Sequence, residues 1–128
     1  MRNVISLSIA VLVTLLIDVQ PAYADTSAVS TMATIMISLK HFPGDADKTA
    51  LTAILESGDS SDAEKSIAMA IAKIQHKVTA ADKEKLSTIA ADEHASGSLR
   101  ELAAIVGGTN HMPSAADIEK LQGIAAGD

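Results

Sequence analysis

Residues 41–47 read His-Phe-Pro-Gly-Asp-Ala-Asp, and the pattern that they begin occurs three times in the chain at a constant spacing of 35 residues. The second copy begins at His76 and the third at His111, without an insertion in either. Five positions carry the same residue type in all three copies, and in the first copy these are His41, Ala46, Asp47, Leu51 and Ile54. An internal repeat of this length is typical of proteins built from successive pairs of helices.

The spacing of apolar residues within each repeat is helical. Met32, Ile35, Met36 and Leu39 are separated by three or four residues, which places them on one face of a helix. No stretch alternates apolar and polar residues in the way that a strand requires. The predicted fold class is all-α: six short helices form three helical hairpins, each with a repeated His at its turn. Such hairpins either close into a compact bundle or stack into a short superhelical array.

The invariant Asp of each repeat is predicted to stabilise the start of a helix. Asp47, Asp82 and Asp117 each lie three residues after a turn residue, at the position from which a carboxylate can accept a hydrogen bond from the backbone of the capping residue. A carboxylate there also meets the positive end of the helix dipole.

Residues 1–24 have the features of a cleavable signal peptide. Arg2 is followed by an apolar run from Val4 to Ile17, which is shorter than the roughly 20 residues that span a bilayer. The segment Ala22-Tyr23-Ala24 provides a cleavage signal. We therefore expect residues 25–128 to form a single all-α helical-repeat domain in the periplasm or in the medium, without a membrane span once the signal is removed.

The composition excludes several classes of function. The net charge of −6 disfavours nucleic acid as a partner, and the absence of cysteine excludes disulfides and thiolate chemistry. Phe42 is the one Phe, Tyr or Trp after residue 24, and no phosphate-binding loop or nucleophile motif is present. These features favour a non-enzymatic module that interacts with a protein or peptide, or that has a structural role.

The repeated histidines allow two interpretations. Each imidazole either caps the end of the helix before it, or contributes to a zinc or copper site made of His41, His76 and His111, with His94 or Asp45 as a fourth ligand. Stacked hairpins place equivalent residues about 8–10 Å apart, whereas two nitrogens on one zinc lie within about 3–4 Å of each other. A shared ion therefore requires the three turns to converge. The metal-binding function is the alternative to the interaction module.

Overall fold

The computed structural model describes residues 27–127, and within that range the regular secondary structure consists of six helices without a strand. The predicted signal peptide, residues 1–24, lies outside the described residues. The helices are α1 (Ala28–Ser38), α2 (Asp45–Glu56), α3 (Asp62–Ala72), α4 (Ala80–Ala91), α5 (Gly97–Gly108) and α6 (Ala115–Ala125). The all-α prediction is confirmed.

The predicted role of the invariant Asp at the helix start is confirmed in its essentials. In α2 the Gly44 N–H donates to Asp47 Oδ2 at 3.0 Å, and in α6 the Ser114 N–H donates to Asp117 Oδ2 at 3.3 Å. In the middle repeat the contact is made through the side chain of the capping residue: the Thr79 hydroxyl donates to Asp82 Oδ2 at 2.7 Å and accepts from the Asp82 N–H at 3.2 Å. Ser114 and Asp117 make the same two bonds in addition to the backbone one. Each Asp thus fixes the residue at which its helix begins.

Packing between repeats is more extensive than packing within them. Every pair of consecutive helices is in contact, as expected for helical hairpins, but the most extensive contacts join α2 to α3, α4 to α5, and α6 to α1. Within a repeat, the backbone after α1 is extended at Leu39 and again at Gly44, before α2. This extended turn carries the chain across the end of the bundle instead of reversing it tightly.

Contact between the first and last helices closes the three repeats into a ring. Ser30 of α1 is buried, and its hydroxyl donates to the Ala125 carbonyl of α6 at 2.6 Å. The helices α1, α3 and α5 also contact one another in the interior, whereas α2, α4 and α6 lie outside them. The bundle therefore has approximate threefold symmetry, and of the two predicted arrangements it is the compact one.

The core follows from the same symmetry. Most of its largest fully buried side chains come from the three inner helices and from the invariant Leu of each outer helix: Met32, Met36, Ile67, Ile71, Leu102, Val106, Leu51, Leu86 and Leu121. Burial of each of these side chains stabilises the fold by about 1.5–3 kcal/mol. Pro43 and Ile74, in the turns, are buried to the same degree. Among the described residues, no helix is both long and apolar enough to cross a bilayer.

We predict that Leu121→Ala destabilises the bundle by about 2–5 kcal/mol, because it leaves a cavity at a fully buried site in α6. Urea denaturation followed by circular dichroism measures the change. The neighbouring Gln122 is exposed, so Gln122→Ala should change the free energy of unfolding by no more than about 0.5 kcal/mol. Equal effects of the two substitutions would contradict the packing of α6 in the ring.

Candidate metal centre

The three repeated turns meet at one end of the bundle. The inner helices α1, α3 and α5 all run towards this end, and the turns that follow them occupy residues 39–44, 73–79 and 109–114. The His76 N–H donates to the His41 carbonyl at 3.0 Å, and the His111 N–H donates to the His76 carbonyl. A chain of backbone hydrogen bonds therefore joins the three histidines directly.

The three imidazole rings surround a common point. Ring centroids are 5.5 Å apart for His41 and His76, 5.7 Å for His41 and His111, and 5.2 Å for His76 and His111. The corresponding interplanar angles are 61°, 84° and 69°, so the rings are arranged like the blades of a propeller. The three distances are nearly equal, so the side chains follow the same approximate threefold symmetry as the bundle.

Two of the three histidines have an unusual backbone conformation. The φ angles of His76 and His111 are 73° and 63°, in the left-handed region, whereas His41 is not among the residues of positive φ. For a residue other than glycine this conformation costs of the order of 1–3 kcal/mol. The same two residues donate the backbone hydrogen bonds that link the three turns, and their side chains lie against those of the neighbouring turns.

The geometry of the cluster is close to what one metal ion requires. One ring nitrogen from each His lies within 4.8 Å of the other two, and all three residues are exposed. A tetrahedral ion with N ligands at about 2.0–2.1 Å needs nitrogens about 3–4 Å apart, and imidazoles bound in this way have centroids about 5 Å apart. The cluster is therefore a candidate metal site of three exposed imidazoles.

The separation of 8–10 Å expected for stacked hairpins is wrong for these turns. That value applies to the axes of packed helices in an open array, whereas the closed ring brings the turns together on its axis. The helix-capping interpretation is also wrong. The residues that cap α1, α3 and α5 are Leu39, Lys73 and Thr109, and each His follows its helix by three or four residues. Within residues 27–127, no helix carbonyl accepts a hydrogen bond from these three imidazoles.

The two residues considered as a fourth ligand are not part of the cluster. His94 follows α4 at its far end, and α4 alone is about 18 Å long, so His94 lies at the other end of the bundle. Asp45 is the exposed first residue of α2 and does not belong to the group of ligand atoms within 4.8 Å. In the described part of the chain, the three repeated histidines form the one such group.

The groove beside the cluster has no signal in the sequence. A cavity of about 330 Å³ is lined by Phe42, Lys48, Ala72, Ile74, Gln75 and His76. The lining residues come from the first repeat and from the second. Phe42 is replaced by Lys77 and Met112 at the matching positions, and Lys48 has a counterpart in Lys83 but is replaced by Ile118 in the third repeat, so the repeat pattern does not single them out. Knowledge of which turns adjoin would have been needed to group them.

The comparisons with known proteins found no relationship: no family model matches the chain, and no curated protein or solved structure matches it.

We predict that glycine is better tolerated than alanine at the two strained histidines. At positions 76 and 111, the Gly variant should be more stable than the Ala variant by about 1 kcal/mol, because a Cβ disfavours the left-handed conformation. Position 41 is the internal control, since its φ is not positive and Ala should be at least as stable as Gly there. Urea denaturation of the six variants, without metal, checks this. The same order of stability of the Gly and Ala variants at all three positions would contradict the difference in φ between His41 and the other two histidines.

Proposed function

We propose that the protein binds one divalent transition-metal ion per chain through His41, His76 and His111. The observation that carries this proposal is that three residues separated by 35 positions each bring a ring nitrogen within 4.8 Å of the other two. Exposed imidazoles have no packing reason to gather in this way, and two of them adopt a strained backbone. Strain of this kind is commonly found where function requires a particular side-chain direction.

The donor set favours zinc, copper or nickel. Imidazole suits these ions, whereas magnesium and calcium require oxygen ligands. The cluster contains neither a carboxylate nor a thiolate, and the chain has no cysteine. Three neutral nitrogens leave the charge of the ion uncompensated at the protein surface.

An exposed three-ligand site suits exchange of the ion better than permanent retention. Structural zinc sites are usually closed by four protein ligands and are needed for folding. Here the core is built from the six helices, and the cluster lies outside it at the end of the bundle. We therefore propose a role in holding, buffering or carrying metal, without enzymatic activity, in the periplasm or in the medium.

A second candidate function, binding of a protein or peptide, is supported by two exposed apolar side chains. Phe42 is 63 % exposed and Met112 is 52 % exposed, and each directly follows a histidine of the cluster. Apolar side chains of this size are often found in binding surfaces when they are close together. The two functions are compatible, because a partner that donates or accepts the ion would need to contact this end of the bundle.

We predict that residues 25–128 bind zinc or copper with a stoichiometry of one, as measured by isothermal titration calorimetry. Free zinc at a hundred times the dissociation constant should stabilise the fold by about 2.7 kcal/mol. Each of His41→Asn, His76→Asn and His111→Asn should weaken binding at least about tenfold, which corresponds to about 1.4 kcal/mol. Asparagine removes the imidazole and tolerates positive φ, so the backbone of the turns should be retained.

The matched control is His94→Asn, which removes an exposed imidazole at the other end of the bundle and should leave the affinity unchanged. A loss of affinity as large as that of the three cluster variants would contradict the proposal. Binding of more than one ion with equal affinity per histidine would also contradict it, because it would mean that the imidazoles act separately.

We predict that the chain is cleaved after Ala24 when it is expressed in a Gram-negative host. The released protein in the periplasmic fraction or medium should begin at Asp25, as measured by intact mass and N-terminal sequencing. Ala24→Asp should block processing, because the residue before the cleavage site must be small. Accumulation of the unprocessed wild-type chain in the cytoplasm would contradict the proposed localisation.

A further inference from the structure

The groove beside His76 has the composition of a binding site for a small organic anion. Its apolar lining comes from the Phe42 ring, Ala72 and Ile74, and its one cation is Lys48. The volume of about 330 Å³ is at the small end of the range for ligand pockets. Because His76 lines the groove and also belongs to the cluster, a ligand in the groove would lie next to a bound ion.

The charge on Lys48 is available to a ligand. In the range 27–127 the one ion pair joins Lys120 to Glu101 at 3.5 Å, so Lys48 has no carboxylate partner. The nearest acidic residue along the chain, Asp47, accepts the Gly44 N–H at the start of α2. Lys40 and Lys77 are also exposed, each directly beside a histidine of the cluster. Three lysines thus lie near the cluster on a chain whose net charge is −6. The carboxylates at the same end belong to the helix starts that follow the three turns: Asp45, Asp47, Asp82 and Asp117.

A bound ion would add positive charge next to these lysines. Three neutral imidazoles leave a tetrahedral ion with its full charge and with one free position, which an open site fills with water or an exogenous ligand. The three histidines are exposed, so this position is accessible from solvent. An anion with an oxygen donor can occupy it and at the same time lie within reach of a lysine.

We propose that the metal-loaded cluster binds a small carboxylate whose oxygen takes the open coordination position and whose apolar part lies in the groove against Phe42. This inference rests on the proposed metal binding and specifies the ligand class of the same site. Lys48 contributes by charge, and Phe42 and Ala72 contribute apolar contact. The ligand is a free small molecule, since the groove is too small for an extended peptide.

Cobalt(II) provides a test, because its visible absorption reports both the number and the type of its ligands. Residues 25–128 are first titrated with cobalt and then, once loaded, with acetate, benzoate or the uncharged control benzamide. Acetate and benzoate should both change the visible bands. Benzoate should bind with about three- to tenfold higher affinity than acetate, because its ring is partly buried. Benzamide should not compete with them at similar concentrations.

Two variants separate the contributions of charge and apolar contact. Lys48→Gln should weaken both carboxylates about two- to fivefold, as expected for a partly exposed charge. Phe42→Ala should remove the preference for benzoate over acetate while acetate still binds. The matched control Lys65→Gln makes the same charge change near the start of α3, at the end of the bundle away from the cluster, and should have no effect.

The outcomes distinguish this inference from the one on which it depends. If cobalt does not bind in the first titration, both proposals are overturned. If cobalt binds and the carboxylates leave its spectrum unchanged, only the carboxylate site is overturned. Equal affinity for acetate and benzoate in the wild type would show that the groove does not contact the apolar part of the ligand. Equal effects of Lys48→Gln and Lys65→Gln on carboxylate affinity would show that Lys48 does not contribute to the site.

Discussion

The contact between α1 and α6 is the constraint on which the rest of the structure depends. It joins residues 95 positions apart through the Ser30 hydroxyl and the Ala125 carbonyl, and it converts three consecutive repeats into a ring. In an open array, equivalent turns would follow one another at the spacing of packed helices, about 8–10 Å. In the ring they meet on one axis, so a residue that occurs once per repeat becomes a cluster of three.

Local features of the chain were predictable, and the ring was not. The spacing of Met32, Ile35 and Met36 predicts a helix, and Asp47 and Asp117 predict where helices begin, because both patterns depend on near neighbours. The same patterns show which face of a helix is buried but not which helix covers it. The packing of α6 on α1, the groove between Phe42 and His76, and the convergence of the turns all depend on that missing information.

The candidate site shows the same division between local and global information. The repeat drew attention to His41, His76 and His111 as candidate ligands, and it gave no means to judge the distances between them. Left-handed backbone is normally anticipated at glycine, so the positive φ of His76 and His111 had no signal in the sequence. The three histidines lie at the exposed end of a bundle whose core is apolar. Strained turns are tolerated there because packing elsewhere supplies the stability.

The central claim is that three distant histidines act as one site, and nitrogen NMR of the imidazoles tests it most directly. In ¹⁵N-labelled protein, addition of zinc up to one equivalent should move the ring-nitrogen signals of His41, His76 and His111 together, while those of His94 stay in place. All three signals should stop changing at the same equivalence point. Signals that respond at different zinc concentrations, or a response of His94 equal to that of the others, would contradict the account.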